Sequence, residues 1–380
     1  DHHCHGIVAE PMDRSSFAGL LSEGGAAMHA EIDPADTPLG LAVRSLCAPV
    51  LDLDPHVPFD VYLARRNELP DVNERFLNES SLSHLLVDTG YQQATLLDPD
   101  QIAELGPFQT DEIVRIETVA EETFASFGAD DFVDAFALNL RRRAENAVGL
   151  KSIVAYRAGF DLDPRRPIAL DVRRALAGWR FGQRLDDRVL LRHCLHVAIE
   201  LAADEQLPLQ LHTGFGDSDI DLWRSDPTRF SPWLRAAPAE ARFCFLHCWP
   251  YHREAAFLAA VFPSVYFDTG EVNTHGALSY RSILAEAMEI APFGKLLYSS
   301  DAFALSELYY IASQEFRDAL GSILHGWLRN GRCATADAAR IVHMVSVGNA
   351  RRLYQLPEPM ASTEQQSIIA SGDGFSHEAS

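Results

Sequence analysis

The chain has 380 residues, 47% hydrophobic and 23% charged, the balance of a soluble globular protein with a sizeable core. Its 54 acidic against 32 basic side chains give a formal charge of −22, which argues against nucleic acid or an anionic membrane as partner. No run approaches the ~18 apolar residues of a membrane span. The six cysteines (Cys4, Cys47, Cys194, Cys244, Cys248, Cys333) show no paired framework and no CxxC, so the cytoplasm is the expected compartment. No basic-then-apolar leader opens the chain, yet residue 1 already reads as part of a core strand, so residues are expected to have been lost upstream of it.

Taken in order, residues 1–8 read as a first strand. Alternate side chains of a strand share a face, which sets His3 and His5 together, with Asp1 on the same side. Two such imidazoles can grip a divalent metal, although a solvated histidine-rich start fits these residues as well. The pattern from about 10 to 80 is helical. Pro58 opens a helix carrying Phe59, Val61, Tyr62 and Leu63, and Leu69-Pro70-Asp71 breaks the chain before another over 72–78.

Strand-like runs then recur at 84–88, 113–117, 148–156, 209–212, 243–247, 265–268 and 295–300. The run at 113–117 is the weakest, since 113–126 fits a helix equally. Helical stretches at 189–203, 253–261, 280–290 and 307–328 separate most of the others. Counting the first, eight strands alternate with helices, the pattern of an α/β (β/α)8 TIM barrel over 1–356. The barrel carries a helical insertion after strand one and extra C-terminal helices over 335–356, the first capped by Thr335. A doubly wound open sheet competes, but no glycine-rich phosphate loop follows an early strand. Residues 357–380, rich in Ser, Glu, Gln and Gly, read as a flexible tail.

In such a barrel, function gathers at the C-terminal ends of the strands. There the chain places His3 and His5, Lys151, His212, His247 and Asp301. Singly, each has an ordinary reading as a hydrogen-bonded histidine, a helix-capping aspartate or an ammonium awaiting a partner. All at one rim, they point to a metal centre. Histidines and Asp301 ligate a cation, and a lysine carboxylated by CO2 becomes an anionic carbamate able to bridge two. Metal-activated water with Asp301 as general base is hydrolytic chemistry.

These residues resemble the amidohydrolase superfamily of metal-dependent TIM-barrel hydrolases. The superfamily pattern is HxH after strand one, Lys or Glu after four, His after five, His after six and Asp after eight. The likeness is closer to the amidohydrolase-2 branch, especially the amidohydrolase half of plant nodulin-like and fungal FluG-like proteins. It is carried by Lys151-Ser152-Ile153-Val154-Ala155-Tyr156-Arg157, Leu211-His212-Thr213-Gly214-Phe215-Gly216-Asp217, Leu246-His247-Cys248-Trp249-Pro250-Tyr251 and Ser299-Ser300-Asp301-Ala302. In those proteins this half is fused to a glutamine-synthetase-like half, for which 380 residues leave no room. The strand around Lys151 is also similar to that of cyclic-amide hydrolases, where the lysine is carboxylated and a tyrosine five residues on, here Tyr156, stabilises the oxyanion.

The resemblance implies a hydrolase of a small amide, such as a γ-glutamyl amide, using one or two divalent ions (zinc, with manganese as substitute) and an N6-carboxylated Lys151. Around the ligands, Arg157, Trp249, Arg253 and Asp217 are candidate substrate-binding residues, with ion pairing on the body of the protein the plain alternative for the arginines. Arg115 and Glu117 are a candidate buried ion pair, and His275 belongs to a loop near the site. Two other readings stay open. One is a mononuclear decarboxylase of the same branch; the other is a non-catalytic partner of a glutamine-synthetase-like protein. A homo-oligomer is left open too.

Overall fold

The computed structural model describes residues 1–28, 32–91 and 95–357. Six strands form one parallel sheet in sequence order: β1 (His84–Asp88), β2 (Gln109–Arg115), β3 (Ala147–Ser152), β4 (Pro208–Thr213), β5 (Arg242–His247) and β6 (Val265–Phe267). β1 and β4 are buried at every residue, as strands covered on both faces must be. Their side chains still alternate. Phe243 and Phe245 of β5 enter the layer between sheet and outer helices, while Cys244 and Leu246 face the barrel interior with Leu86, Ile113 and Tyr266.

The remaining two of the eight expected strands are extended segments held by isolated bridges, Cys4 to Val87, Ile7 to Ala304 and Phe267 to Leu296. They close the ring. The N-terminal segment donates from Cys4 N to Leu86 O on one side and from His5 N to Ala302 O and Val8 N to Ala304 O on the other. Asp301 N returns a bond to His3 O. Asp1 does not join His3 and His5 as the alternation suggested. Its carboxylate accepts from Ser300 N and Ser300 Oγ at 3.0 and 2.5 Å, latching the two closing segments together.

Three local expectations need correction. β2 ends at Arg115, and Ile116 and Glu117 already belong to the helix Ile116–Ala144. The helical alternative for 113–126 is thus the right one from Ile116 on, and the continuation to Ala144 hid from sequence reading because Gly128, at φ +70°, breaks the helix in the middle and interrupts its periodicity. Tyr156 lies not on a strand but in the helical turn Val154–Arg157 that follows β3. Thr335 is the first helical residue rather than the cap; Asp337 accepts from Ala334 N–H instead.

The stretch before β1 carries the helices Phe59–Glu68 and Val72–Glu79, which pack with Phe17, Leu39 and Val43 against the long helix Ser306–Arg329. A buried ionic group ties the layers. Arg66 donates twice to Glu307, at 2.6 and 3.3 Å, and Tyr62 Oη donates to the same carboxylate at 3.0 Å. At the far end of the barrel, Tyr354 of the last helix, Asn349–Tyr354, plugs the interior beside Ile113 and Cys244. No helix among the described residues is long and apolar enough to cross a membrane. The expected tail beyond 357 lies outside the described residues.

Glu307→Leu strands the Arg66 guanidinium in a dry interior, so its expected cost is about 3–5 kcal/mol of unfolding free energy in urea titration. The double variant Arg66→Met/Glu307→Leu should recover most of that loss.

Candidate metal centre and active site

The rim gathers side chains from both ends of the chain around one carboxylate. Asp301 Oδ1 lies 3.1 Å from His3 Nε2 and 3.3 Å from His5 Nε2, and Oδ2 lies 3.3 Å from His247 Nε2. His212 and His247 have ring centroids 4.8 Å apart. Lys151 Nζ is 3.0 Å from His3 Nε2 and 3.2 Å from Asp88 Oδ2. All six residues predicted as ligands therefore meet at one place.

Strand alternation alone would not have put His247 there, since it has the parity of the outward-facing Phe243 and Phe245. The backbone changes hand at this point. His247 and Cys248 take φ +68° and +59°, and Asp301 and Glu271 take +51° and +57°. Non-glycine residues in this region carry strain, and hydrogen bonds hold them there. His247 N donates to Asp268 Oδ1 at 2.7 Å, Glu271 N to Ser300 O at 3.0 Å and Asp301 N to His3 O at 3.1 Å.

A second layer orients the imidazoles. Gln210 Oε1 sits 2.8 Å from His3 Nδ1, which makes that nitrogen the donor and leaves Nε2 facing Asp301. The Gln210 amide donates in turn to His2 O and Tyr354 Oη, both at 2.8 Å. His2 bridges Tyr354 and Asp268 at 3.0 and 2.9 Å. Asp88, from the end of β1, takes Arg115 at 2.6 Å as well as Lys151. Arg115 therefore pairs with Asp88 and not with Glu117, which accepts from Ser152 Oγ and Ile153 N.

Charge states follow from burial. Desolvation drives His3 and His212 well below the ordinary histidine range and lowers His247, so all three are neutral imidazoles. Burial pushes Asp301 up, but His247, His3 and His5 together outweigh it and hold the carboxyl well below its usual range. Burial likewise works against the Asp88 carboxylate and is overcome by Arg115 and Lys151. The Lys151 ammonium is lowered by desolvation, partly offset by Asp88.

A divalent cation fits this donor set. Among the described residues, buried His212 Nε2, both nitrogens of His247 and Asp301 Oδ1 have no hydrogen-bond partner; the close contacts of Asp301 with the imidazoles lack hydrogen-bond alignment. Donor atoms of His3, His5 and Asp301 lie within 4.8 Å of one another, and so do those of His247, Glu271 and Asp301. Neutral imidazoles with carboxylates are the ligands that zinc and its neighbours take.

A cavity opens over these residues, with an empty volume of about 800 Å³. Tyr156, Arg157 and Asp217 line it, together with Glu23, Tyr91, Arg184 and Glu271. The Tyr156 ring packs at a 42° tilt against His212 with centroids 4.3 Å apart, and its hydroxyl accepts from Asp217 N at 3.3 Å. Gly216 is required by this packing, since a Cβ would lie 2.0 Å from Tyr156 Oη and 3.1 Å from His212 Nε2. Two expected substrate residues stand elsewhere. Arg253 is exposed on the outer helix His252–Val261, paired with Glu289 at 3.1 Å, because its helical turn points it away from the rim. Trp249 packs its ring edge against Phe215 and joins the hydrophobic layer, outside the cavity lining. Half-buried His275 sits in the short helix Val272–His275, 3.7 Å from Glu23.

Sequence reading missed Asp88, Glu23 and Glu271. Asp88 ends a recognised strand, so its position was a usable signal. Glu23 and Glu271 come from an irregular insertion and a rim loop, where spacing carries no information.

A family model described as Amidohydrolase matches residues 104–356. The chain is 34% identical over 227 residues to the Protein fluG of Emericella nidulans, covering 56% of this chain and 26% of that one; it thus spans about a quarter of that relative's length. Among solved structures, a protein from Lactobacillus casei described as a metal-dependent hydrolase superposes with a TM-score of 0.78 at 28% identity, over 93% of this chain and 94% of its own. The uronate isomerase of Thermotoga maritima (TM-score 0.63, 13% identity, 93% and 94% covered) and the glucuronate isomerase of Caulobacter crescentus (0.64, 12%, 95% and 91%) share the barrel. At those identities the likeness is of fold only.

Glu23 is pushed up to about 7, by burial first and then by Asp301 and Asp217. A raised carboxyl stabilises the folded state while protonated. That contribution is whole below the unfolded value near 4.5 and is lost as pH rises through about 7. Glu23→Gln should therefore unfold like the parent at pH 4. At pH 8 the metal-free variant should be the more stable by at most about 3 kcal/mol, read by urea denaturation in the presence of chelator.

Proposed function

The chain belongs to the amidohydrolase family, and on that premise we propose that its metal-dependent hydrolysis acts on the C–N bond of a small amide, a γ-glutamyl amide in particular. The observation that carries this reading is Asp301, within 3.3 Å of three imidazole nitrogens beneath a cavity that also holds Tyr156 and Arg157. His3, His5, His212, His247, Asp301 and Lys151 would hold a divalent ion, zinc or manganese by the chemistry of the set. When bound, such an ion makes water a nucleophile at neutral pH and polarises a carbonyl.

The chain's own groups do the rest. Asp301, ionised because its imidazole neighbours favour the carboxylate, accepts the proton of the attacking water and passes it to the departing amine. Tyr156 keeps its phenolic proton, since burial and then Glu271 push its pKa up, and donates it as a hydrogen bond to the carbonyl oxygen as negative charge builds there. Arg157, half-buried and among the described residues engaged only at 3.6 Å by Glu121, offers its guanidinium to a substrate carboxylate. For Lys151, burial favours the free amine that CO2 captures, whereas Asp88 favours the ammonium. Intact-protein mass decides between them, because the carbamate adds the mass of one CO2.

Metal-loaded protein should release glutamate from γ-glutamyl amides such as the anilide. Chelation or His212→Ala should abolish that release, and Asp301→Asn should lower kcat by about 10²–10⁴-fold. Metal-replete enzyme that leaves a panel of γ-glutamyl amides intact would sink the substrate assignment.

A further inference from the structure

The cavity carries more carboxyl groups than its chemistry consumes. Of its basic residues, Arg115 and Lys151 are engaged by Asp88, Arg184 by Asp219 at 2.6 Å and Arg157 by Glu121. Glu23, Asp217 and Glu271 line the same cavity. Among the described residues, no arginine or lysine lies within ion-pair distance of any of the three; Glu23 has only His275, at 3.7 Å. Glu271 is the most telling. It is 96% buried by its 4% exposure, its Oε2 has no hydrogen-bond partner, and its backbone is held at φ +57° to present it there. A buried carboxyl oxygen without a partner is costly, and a cation beside it would supply the missing donor.

We propose that Glu23, Asp217 and Glu271 form a subsite for a primary ammonium group of the substrate, which makes the substrate a zwitterion: its free amino group is held here and its carboxylate by Arg157. An ammonium supplies three N–H donors to these carboxylates, and the two ends are read by opposite charges. The chemical class is an amide whose acyl part retains an unblocked amino acid head. The inference rests on amide hydrolysis for the reaction but on the charge pattern for the substrate. The competing role for Glu271 is ligation of a metal ion, since its carboxylate also lies within 4.8 Å of donors from His247 and Asp301.

Calorimetry on the metal-loaded full chain, with L-glutamate and with glutarate, which lacks only the amino group, separates these roles. Glutamate should bind about tenfold or more tightly than glutarate, as a charge-assisted hydrogen-bond set implies. Glu23→Gln and Glu271→Gln should each cut that preference about threefold or more, with metal per chain unchanged by elemental analysis. Equal binding of the two ligands, binding of neither, or a preference untouched in both variants overturns the subsite. Loss of metal in Glu271→Gln with the preference intact overturns it in favour of ligation. Hydrolysis is followed in parallel on γ-glutamyl anilide and glutaryl anilide. Equal cleavage leaves amide hydrolysis standing and removes the ammonium subsite. Cleavage of neither, with glutamate still preferred in binding, keeps the subsite and removes the reaction.

Discussion

One carboxylate holds this structure's function together. Asp301 faces Nε2 atoms of His3, His5 and His247 at 3.1–3.3 Å, and those residues come from opposite ends of the chain. Neither the segment bearing His3 and His5 nor the one bearing Asp301 forms a regular strand. Each is held by a few backbone bonds to its neighbours and by Asp1 on Ser300. The barrel's closure and the assembly of its polar site are therefore one event. Six parallel strands supply a rigid frame, and the last two positions of the ring are given to ligands rather than to ladder hydrogen bonds.

That arrangement has a cost, which the frame offsets. His247, Glu271 and Asp301 sit at positive φ, each on the order of 1–3 kcal/mol, and several buried polar atoms have no partner. Strain and unsatisfied polar atoms concentrated at one rim mark a site shaped for binding rather than for stability. The layer beneath shows the opposite behaviour. Gln210, His2, Asp268 and Tyr354 satisfy one another completely enough to fix the orientation of His3 and the turn at His247. Tyr354 links this layer to the end of the described chain, so the plug at the far end of the barrel also sets the geometry of the rim.

The same barrel is shared with sugar-acid isomerases at 12–13% identity, which is why the fold by itself says little about the reaction. What separates one use of the barrel from another is charge. Burial leaves His3, His212 and His247 neutral, and the surrounding imidazoles keep Asp301 ionised against it, the protonation pattern that both cation binding and proton transfer need. Around that centre the cavity divides into arginines already engaged by acids and carboxylates that are not. The wall chemistry, more than the ligand set, bears on which substrate enters.

Local pattern determined much of this from the sequence. Short apolar runs ending in His212, His247 or Asp301 announce strand ends at one rim, and the i, i+2 spacing of His3 and His5 announces a shared face from strand period alone; that His247 turns inward did not follow from period, because it has the parity of Phe243 and Phe245. The strand–helix alternation needed no tertiary knowledge either, though Gly128 concealed the length of one helix and Tyr156 was placed on a strand instead of in a turn. Contacts between distant segments were not legible. That Arg115 of β2 pairs with Asp88 of β1 rather than Glu117, and that Arg253 turns outward to Glu289, are contacts between separate elements with no local signature, while Glu23 and Glu271 reach the cavity of Asp301 from an irregular loop and a positive-φ turn. Such turns follow no period, so only the folded chain decides which side chains they bring together.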